Sequence, residues 1–378
     1  MQGLFIHDHK FPRINEKYLY SYGFDAEFFR RYEDIFDNIA IIGREKELDY
    51  QPNIEETVDS NINFFTIKEF NELKYKNVRG NIINRIQKSD FIVIRVPSIL
   101  GIYAAYKAKQ MKKPYIIEVV GCYWDGIMNK GKTKIVEATI LTSLMKSVIS
   151  SAKYVVYVTE DFLEKRYPTK GEYIACSNVT LNSVSEADLE KRLIQIENRQ
   201  SKIVLGTCAT VDVVYKGQQD VIKAIANLKK IGFNIEYQLV GGGDTSYLES
   251  IAKEYGVSDQ IKFIGVLKHE KVFSWLETLD IYIHPSKQEG LSRAIIEAMS
   301  KACPIMGADA GGIHELIDSS YIFGKGNVDE ICKILVSFDK KSMAEQAIQN
   351  HNNSKKYLKS ILYARRKEFF SSFINAYN

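Results

Sequence analysis

Short apolar segments alternate with segments of helical spacing along most of this chain. Eight runs rich in β-branched and aromatic residues predict strands at residues 38–43, 91–95, 114–120, 154–159, 203–206, 235–240, 261–264 and 281–283. Apolar spacing of three and four residues predicts helices at about 100–111, 133–150 and beyond 354. Such alternation favours parallel sheets covered by helices. A charge-rich stretch, residues 185–200, predicts an exposed connector between two such arrays.

The composition is that of an ordinary two-domain protein. The 378 residues exceed what one hydrophobic core usually holds. Five cysteines without C-x-x-C spacing indicate free thiols in a reducing compartment rather than disulfides or a zinc site. The N-terminus has no signal-peptide layout, and no apolar run is long enough to span a membrane. We therefore expect a cytoplasmic protein.

Charge is spread unevenly along the chain. The net charge of +4 is too small to indicate nucleic-acid binding. Residues 101–170, however, contain twelve Lys or Arg against six Asp or Glu. This excess is typical of a solvated face, or of contact with an anionic membrane or a diphosphate-bearing acceptor.

The most specific pattern follows the last predicted strand, which ends before Pro285. Glu289-Gly290 predicts a sharp turn, and a helical face follows it at Leu291, Ala294, Ile295, Ala298 and Met299. Glu289 and Glu297 are thus eight residues apart, or about 12 Å along a helix. The amides at the helix N-terminus lie between the two carboxylates and favour an anion such as a diphosphate.

This pattern resembles the E-x7-E signature of family 4 glycosyltransferases, which have the GT-B fold. Five further segments in the family's order extend the resemblance over residues 200–320: Tyr215-Lys216-Gly217-Gln218, Leu239-Val240-Gly241-Gly242-Gly243, Ile264-Gly265-Val266, Cys303-Pro304-Ile305-Met306 and Gly311-Gly312-Ile313-His314-Glu315-Leu316. Less specifically, residues 94–98, 118–125 and 157–168 resemble bacterial capsule and exopolysaccharide glycosyltransferases.

The resemblance implies two Rossmann-like α/β domains facing a cleft. An acceptor domain would contain residues 1–190 and about 360–378, the latter in a C-terminal helix that crosses back, and a donor domain residues 200–360. The implied activity is a retaining, hexosyltransferase-type transfer from a nucleotide sugar to a saccharide or lipid-linked acceptor. The implied setting is surface-polysaccharide (capsule) biosynthesis, at the inner face of the cell membrane through peripheral contact.

The resemblance also implies roles for individual residues. Glu289 would contact the donor sugar, Glu297 the ribose hydroxyls, and Lys216 the diphosphate, with Glu289 and Lys216 acting in catalysis. Further donor-binding candidates are the amides of Gly290 and Leu291, the backbone at Gly242 and Gly243, the side chain of Val266 near the base, and Arg293 as a second cation. Acceptor-side candidates are Asp125 and Arg95.

The chain departs from the family pattern at two places. Many members have an arginine a few residues before the lysine, where this chain has Thr207-Cys208-Ala209-Thr210-Val211-Asp212. Many also have a histidine in the first domain, where this chain has Gly121-Cys122. Arg293 could supply the second cation, although it could equally be a surface residue of the helix.

Metal and cofactor signals are weak. The chain contains no D-x-D, so we expect neither a divalent metal nor another cofactor. His7-Asp8-His9 could be a metal pair, but a loop or strand end explains it better. Residues 126–133 match G-x-x-x-x-G-K-T, although this stretch does not directly follow a strand as a phosphate loop must.

Three alternatives remain at this point. A sugar-nucleotide epimerase or a phosphorylase shares the architecture, but an epimerase needs an acid and base pair that the sequence does not reveal. A phosphate-loop NTPase would use Lys132. A non-catalytic partner subunit would explain the missing arginine and histidine.

Overall fold

The computed structural model describes residues 1–21, 23–48, 58, 62–128 and 131–377. Within these ranges the chain divides into two compact units. The first contains Met1–Cys176 and Tyr363–Asn378, and the second contains Ser177–Leu362. Residues 177–190, which the sequence analysis assigns to the first domain, belong to the second unit.

The first unit is a layered α/β structure. Its strands are β1 (Gln2–Ile14), β2 (Lys17–Tyr18), β3 (Asn38–Glu47), β4 (Asn63–Ile67), β5 (Phe91–Val96), β6 (Tyr115–Val119), β7 (Tyr154–Tyr157) and β8 (Glu172–Ala175). Its helices within residues 1–176 are α1 (Ala26–Glu33), α2 (Lys76–Lys88), α3 (Ile99–Gln110), α4 (Tyr123–Met128), α5 (Ile135–Ser150) and α6 (Phe162–Arg166). Short 3-10 helices lie at Phe70–Lys74 and Lys132–Lys134.

These strands form one sheet in the order β4-β3-β1-β5-β6-β7-β8, with β2 antiparallel beside β1. All neighbours along that order are parallel. Parallel neighbours need crossover connections, which the helices provide. Strands β5, β6 and β7 are almost wholly buried, as expected for a sheet covered on both faces.

Strand β1 has an irregularity at His7-Asp8-His9. The register with β3 moves from Ile6 opposite Ile42 to Lys10 opposite Arg44, so three residues face one. Extra residues of this kind bend a strand and redirect its side chains. The Asp8 carboxylate consequently accepts hydrogen bonds from the N–H groups of Ile99 and Leu100 at the start of α3.

The last helix, α14 (Lys359–Asn375), returns the chain to the first unit, because Tyr363–Asn378 belong to that unit. Arg366 lies 2.6 Å from Glu118 of β6, and both side chains are buried. Tyr32 of α1 donates a second hydrogen bond to the same carboxylate, at 2.9 Å. A buried carboxylate with both oxygens bonded therefore links β6, α1 and the tail, and the predicted return of the C-terminal helix is confirmed.

The second unit has its own sheet and helices. Its strands are β9 (Ile203–Cys208), β10 (Ile235–Val240), β11 (Ile261–Gly265), β12 (Ile281–His284), β13 (Ile305–Ala308) and β14 (Ile322–Phe323). Its helices are α7 (Glu186–Glu197), α8 (Gln218–Lys229), α9 (Ser246–Glu254), α10 (His269–Leu276), α11 (Arg293–Ser300), α12 (Val328–Ser337) and α13 (Lys340–Ser354). Short 3-10 helices include Val214–Lys216 and Gly311–Glu315.

The strands of this unit are parallel in the order β11-β10-β9-β12-β13-β14. The core lies against the central strands and the buried helix α8. It is built from aliphatic side chains that include Leu205, Val221, Ile225, Leu239 and Ile283. The prediction of two parallel α/β domains is thus confirmed.

The predicted connector at residues 185–200 is wrong, because most of it is helix α7 of the second unit. Ile196 is buried, and Leu189 packs against the core. Arg192 is also buried and donates to the carbonyl of Leu276 at 2.9 Å. The many charges conceal a helical spacing of Leu189, Leu193 and Ile196.

Among the described residues, none of the helices combines the length and the apolar character needed to cross a membrane.

Candidate active site

The loops that follow β9 and β12 meet at one edge of the second sheet. These strands are parallel neighbours, so their carboxyl ends lie side by side, where open α/β sheets bind ligands. Gly217 has a φ of 78°, and a Cβ there would lie 2.1 Å from the carbonyl oxygen of Pro285. The Lys287 N–H donates to the carbonyl of Tyr215 at 2.8 Å. Only glycine permits this approach, which holds the two loops together.

Lys216 and Glu289 come from these two loops. Lys216 Nζ lies 2.9 Å from Glu289 Oε1, and the two side chains are 22% and 15% exposed. The loop after β13 fixes the backbone at Glu289, because a Cβ on Gly311 would lie 1.9 Å from the Glu289 carbonyl oxygen. The Gly312 N–H donates to the Gly290 carbonyl at 2.8 Å. Three loops therefore define the position of this carboxylate.

His284, the last residue of β12, also contacts Glu289. Its Nε2 lies 3.1 Å from Glu289 Oε1, and its Nδ1 lies 3.2 Å from the hydroxyl of Tyr282. That hydroxyl accepts the N–H of Cys208 at 3.4 Å. With a hydrogen on Nε2, the imidazole donates to the Glu289 carboxylate. This buried series orients the carboxylate from the core side.

These contacts keep Glu289 ionised. Burial by itself raises the pKa of Glu289. The hydrogen bond from His284, the charge of His284 when protonated, and the charge of Lys216 together outweigh burial and lower the pKa to about 2. Above that pH the site presents a carboxylate to any ligand.

Glu297 lies in α11 and is buried. Its Oε1 is 2.8 Å from Nε2 of His269, a side chain that is 62% exposed. The hydrogen bond that His269 donates to Glu297 raises the pKa of His269, because it favours the protonated imidazole. The second carboxylate of the signature is therefore held by a histidine that begins α10.

The N-terminus of α11 follows Glu289 directly. Ser292 caps the helix and accepts the N–H of Ile295. Arg293 is therefore the first helical residue and is partly exposed. Gly290 and Leu291 lie between the carboxylate and the cap. The loop thus presents backbone amides beside the carboxylate, where the helix dipole favours an anion.

The glycine segment after β10 packs closely against the loop after β9. A Cβ on Gly241 would lie 2.0 Å from the carbonyl oxygen of Ala209, and one on Gly243 would lie 2.5 Å from the Asp212 side chain. Both glycines have positive φ angles. A Cβ on Gly242 would lie 3.1 Å from Val266 Cγ2, and the Val266 side chain is exposed just after β11. Gly242 and Val266 are thus close together. Glycine is needed at positions 241 and 243 because a side chain at either position would collide with the loop after β9.

The two acceptor-side candidates belong to the first unit. Asp125 lies in α4, and its Oδ1 is 3.4 Å from a guanidinium nitrogen of Arg166. Arg95 lies in β5, near the rings of Phe24 and Phe28. Each has contacts within its own unit.

The G-x-x-x-x-G-K-T match does not form a phosphate-binding loop in the part that the structure describes. Gly126 lies inside α4, and Lys132 begins a 3-10 helix. Asn129 and Lys130 lie outside the described residues. A loop that cradles phosphate needs successive free amides between a strand and a helix, and α4 already occupies the start of this stretch.

Two histidines of the site were missed in the sequence. His284 ends the predicted strand, one residue before Pro285 and five before Glu289. His269 is 28 residues from Glu297 in sequence and pairs with it only through folding. The first had a local signal, a polar residue at the carboxyl end of a buried strand. The second had none.

Known proteins resemble this chain at the level of family and fold. Residues 194–365 match the family described as glycosyl transferases group 1. The chain is 33% identical to "Protein CapJ" of Staphylococcus aureus, over 97% of this chain and 94% of that protein. It is 29% identical to "Amylovoran biosynthesis glycosyltransferase AmsK" of Erwinia amylovora, over 32% of each.

The fold also resembles that of a solved structure. Anabaena Alr3699/HepE in complex with UDP-glucose superposes with a TM-score of 0.67 and 15% identity, over 98% of this chain and 100% of that one. At this identity the likeness concerns the fold alone.

Proposed function

Since this chain belongs to the group 1 glycosyl transferases, we propose that it transfers a sugar from a nucleotide-sugar donor to a saccharide or lipid-linked acceptor. The reaction serves surface-polysaccharide biosynthesis, as the name of the amylovoran relative suggests. Glu289 and Lys216 act in catalysis. Donor binding uses Glu297, Gly290, Leu291, Arg293, Gly242, Gly243 and Val266, and the acceptor side uses Asp125 and Arg95.

One observation carries the proposal: Lys216, His284 and Glu289 converge at the carboxyl edge of adjacent parallel strands. An ammonium beside backbone amides suits a diphosphate, and an ionised carboxylate suits sugar hydroxyls. Glu297 lies on α11, the helix that follows the loop of Glu289, and would hold the ribose of the same nucleotide. Glu289, Lys216 and Glu297 would thus bind the sugar, the diphosphate and the ribose of a nucleotide sugar, respectively.

Chemically, the bond between the anomeric carbon and the diphosphate oxygen breaks while a bond to the acceptor oxygen forms. Negative charge grows on the departing diphosphate, so the Lys216 ammonium interacts more strongly in the transition state than in the ground state. The departing oxygen takes the acceptor proton on the same face, and the anomeric configuration is retained. We assign no step to a divalent metal or another cofactor.

The donor is a nucleoside diphosphate sugar, and UDP-glucose is the first to test because a fold relative was solved with it.

The acceptor is lipid-linked and lies at the inner face of the cell membrane, which the enzyme contacts peripherally. A row of exposed apolar side chains on α5 supports this part of the proposal. This α5 stripe consists of Ile135, Val136, Ile140 and Leu144, which are 50%, 67%, 53% and 45% exposed. Val136, Ile140 and Leu144 share one helix face, since they are four residues apart.

Exposed lysines lie in the same unit as the α5 stripe. Lys134 is exposed just before α5, and Lys109 and Lys112 are exposed at the end of the neighbouring helix α3. Apolar side chains can enter the boundary between headgroups and acyl chains while lysines meet anionic lipids. The occupant proposed for this face is therefore an anionic bilayer.

The alternatives fit the site less well. An NTPase would need a phosphate loop at residues 126–133, where Gly126 is helical. An epimerase or phosphorylase would share the donor site but would not need a membrane-bound acceptor. If the chain were a non-catalytic subunit, it would not need the ionised Glu289 carboxylate beside Lys216.

A donor panel tests the proposal. Nucleotide sugars with different bases and sugars are added to the purified protein, and the melting temperature is recorded. A donor at 100 times its dissociation constant should add about 2.7 kcal/mol of stability. The donor that stabilises most is then incubated with a lipid-linked saccharide, and glycoside formation is measured. Stabilisation by no nucleotide sugar would contradict the proposal.

A further inference from the structure

The bulge of β1 gathers four side chains near the end of β5, and we call them the Phe24 cluster: His7, His9, Phe24 and Arg95. The Phe24 ring centroid lies 5.4 Å and 4.1 Å from the two imidazole centroids and 5.2 Å from Arg95 Cζ. Ile6 pairs with Ile94, so His7 and Arg95 leave neighbouring strands at the same level. This is the carboxyl end of a parallel sheet, where ligands bind.

Two nitrogens of the Arg95 guanidinium have unused hydrogen-bond donors in the described part of the chain. Its Nε and Nη1 atoms are buried and have no hydrogen-bond acceptor among the residues that the structure describes. Glu118 is its register neighbour on β6, but the two oxygens of that carboxylate already accept from Arg366 and Tyr32. Buried charges are normally paired and hydrogen-bonded. The cluster therefore holds a guanidinium whose Nε and Nη1 donors have no acceptor among the described residues.

The aromatic neighbours do not replace an acceptor. Arg95 Cζ lies 5.2 Å from the Phe24 centroid and 5.0 Å from that of Phe28. A ring face attracts a cation, but it supplies no lone pair to N–H groups in the guanidinium plane. The rings orient the side chain and leave its donors available.

The histidines add neutral donors rather than charge. Burial, together with the charge of Arg95, lowers the pKa of His7 far below its usual range and that of His9 to about 4. His7 Nδ1 accepts the N–H of His9 at 3.1 Å, so the neutral ring carries its hydrogen on Nε2. His9 Nε2 contacts the hydroxyl of Ser21 at 2.6 Å. His7 therefore has an N–H group on Nε2 near Arg95, whose Nε and Nη1 donors are also available for a hydrogen bond.

We propose that Arg95, assisted by the His7 imidazole, binds an oxyanion of the acceptor, either a sugar carboxylate or a phosphate. The planar guanidinium and an adjacent N–H suit the two oxygens of such a group. The assignment of this anion to the acceptor rests on the proposed function, whereas the anion site itself does not. The enzyme would then select acidic acceptors over neutral ones.

Direct binding of small anions tests the site. The full-length protein is titrated with sodium glucuronate and with inorganic phosphate, and glucose and sodium chloride at equal ionic strength serve as controls. Glucuronate should raise the melting temperature if the natural group is a carboxylate, and phosphate should do so if it is a phosphate. Calorimetry should show at least a tenfold loss of affinity in Arg95→Met. Neither probe binding to the wild type would overturn the proposal.

Three further variants serve as comparisons for the loss of probe affinity in Arg95→Met. Arg30→Met removes an exposed arginine of α1 and should bind the probe as the wild type does. Lys216→Ala alters the donor site and should also bind it, which separates the two anion sites. Arg95→Lys keeps the charge and should retain part of the affinity.

Stability separates a ligand-binding arginine from a structural one. Without probe, Arg95→Met should melt close to Arg30→Met, since methionine keeps the packing against Phe24 and Phe28, and relief of desolvation offsets the lost attraction between Arg95 and Glu118. Equal probe affinity in Arg95→Met and the wild type would overturn the proposal, as would a melting temperature far below that of Arg30→Met. Donor binding is measured separately, so failure here leaves the proposed sugar transfer standing, and failure of the donor panel leaves this anion site standing.

Discussion

Lys216 and Glu289 are hydrogen-bonded at 2.9 Å although 73 residues separate them in sequence. In the proposed mechanism the lysine contacts the diphosphate and the carboxylate contacts the sugar. A bound donor therefore replaces this direct contact with two new ones. Because the groups are coupled, the effects of replacing them singly should not add in the double variant.

Glu289→Gln should abolish sugar transfer and leave the fold intact. A preorganised polar group of this kind is worth on the order of 100-fold or more in rate. Initial rates on the identified donor and circular dichroism would measure the two effects. Glu254→Gln, an exposed carboxylate of α9 in the same unit, is the matched control and should keep full activity. Near-normal turnover in Glu289→Gln would rule out its assigned role.

The same carboxylate should make stability depend on acid pH. Its pKa falls from 4.5 to about 2 on folding, because hydrogen bonding and nearby positive charge outweigh burial. A depressed pKa contributes stability that is complete above the unfolded value and lost as pH falls through the folded value, on the order of 3 kcal/mol. The stability difference between wild type and Glu289→Gln should therefore shrink between pH 4.5 and 2. Chemical denaturation across that window checks this, and an unchanging difference would count against it.

Lys216→Ala should weaken binding of nucleoside diphosphates, whereas Lys132→Ala should not. Each substitution removes the lysine that one of two competing phosphate sites requires. Calorimetry with UDP and ADP on both variants compares them directly. Loss of binding in Lys132→Ala alone would favour the NTPase alternative.

Sugar transfer should continue in EDTA. The Lys216 ammonium can balance the charge of the departing diphosphate, a task that a divalent metal performs in other enzymes. Product formation is measured before chelation, after it, and after Mg²⁺ or Mn²⁺ is restored. If chelation abolished sugar transfer and the restored metal recovered it, the proposed metal-free mechanism would be wrong.

The protein should pellet with anionic vesicles at low salt and release at high salt. Each lysine near an anionic leaflet contributes about 1 kcal/mol, which salt screens. Lys109→Glu with Lys112→Glu should reduce pelleting without affecting donor binding, and so should Ile140→Ser with Leu144→Ser. Lys113 is left unchanged because its Nζ donates to the carbonyl of Ser89 at 2.8 Å.

A matched control for the α5 stripe is Ile231→Ser, which changes an exposed isoleucine of the second unit. It should pellet as the wild type does. If no vesicles are bound at any salt concentration and a free soluble sugar is an efficient acceptor, the proposed membrane contact and lipid-linked acceptor are wrong.

Much of the fold was predictable because apolar patterning is local. The predicted strand at residues 235–240 is β10, and the predicted helix at 133–150 contains α5. Patterning failed where polar residues interrupt an element. His7-Asp8-His9 breaks the apolar run of β1 at its bulge, and the charges of α7 concealed its helical spacing.

The site was predictable in part for a similar reason. The loop with Glu289 and the helix with Glu297 form from contiguous residues, so the sequence gives their spacing. The partners of these carboxylates, His284 and His269, depend on strand order and on loop packing. The resemblance implies donor binding at the backbone of Gly242 and Gly243, yet a side chain at Gly241 or Gly243 would also collide with residues 209–212 of the same unit.

The ion pair between Glu118 and Arg366 has a consequence for biosynthesis. Glu118 is translated early, and its guanidinium partner emerges only after the ribosome has produced all of Ser177–Leu362. Until then this interior carboxylate lacks the guanidinium that hydrogen-bonds to it, and breaking a buried pair of this kind costs about 3 to 5 kcal/mol. The first unit therefore completes its core after the second has been synthesised, and a fragment ending at Cys176 should be aggregation-prone.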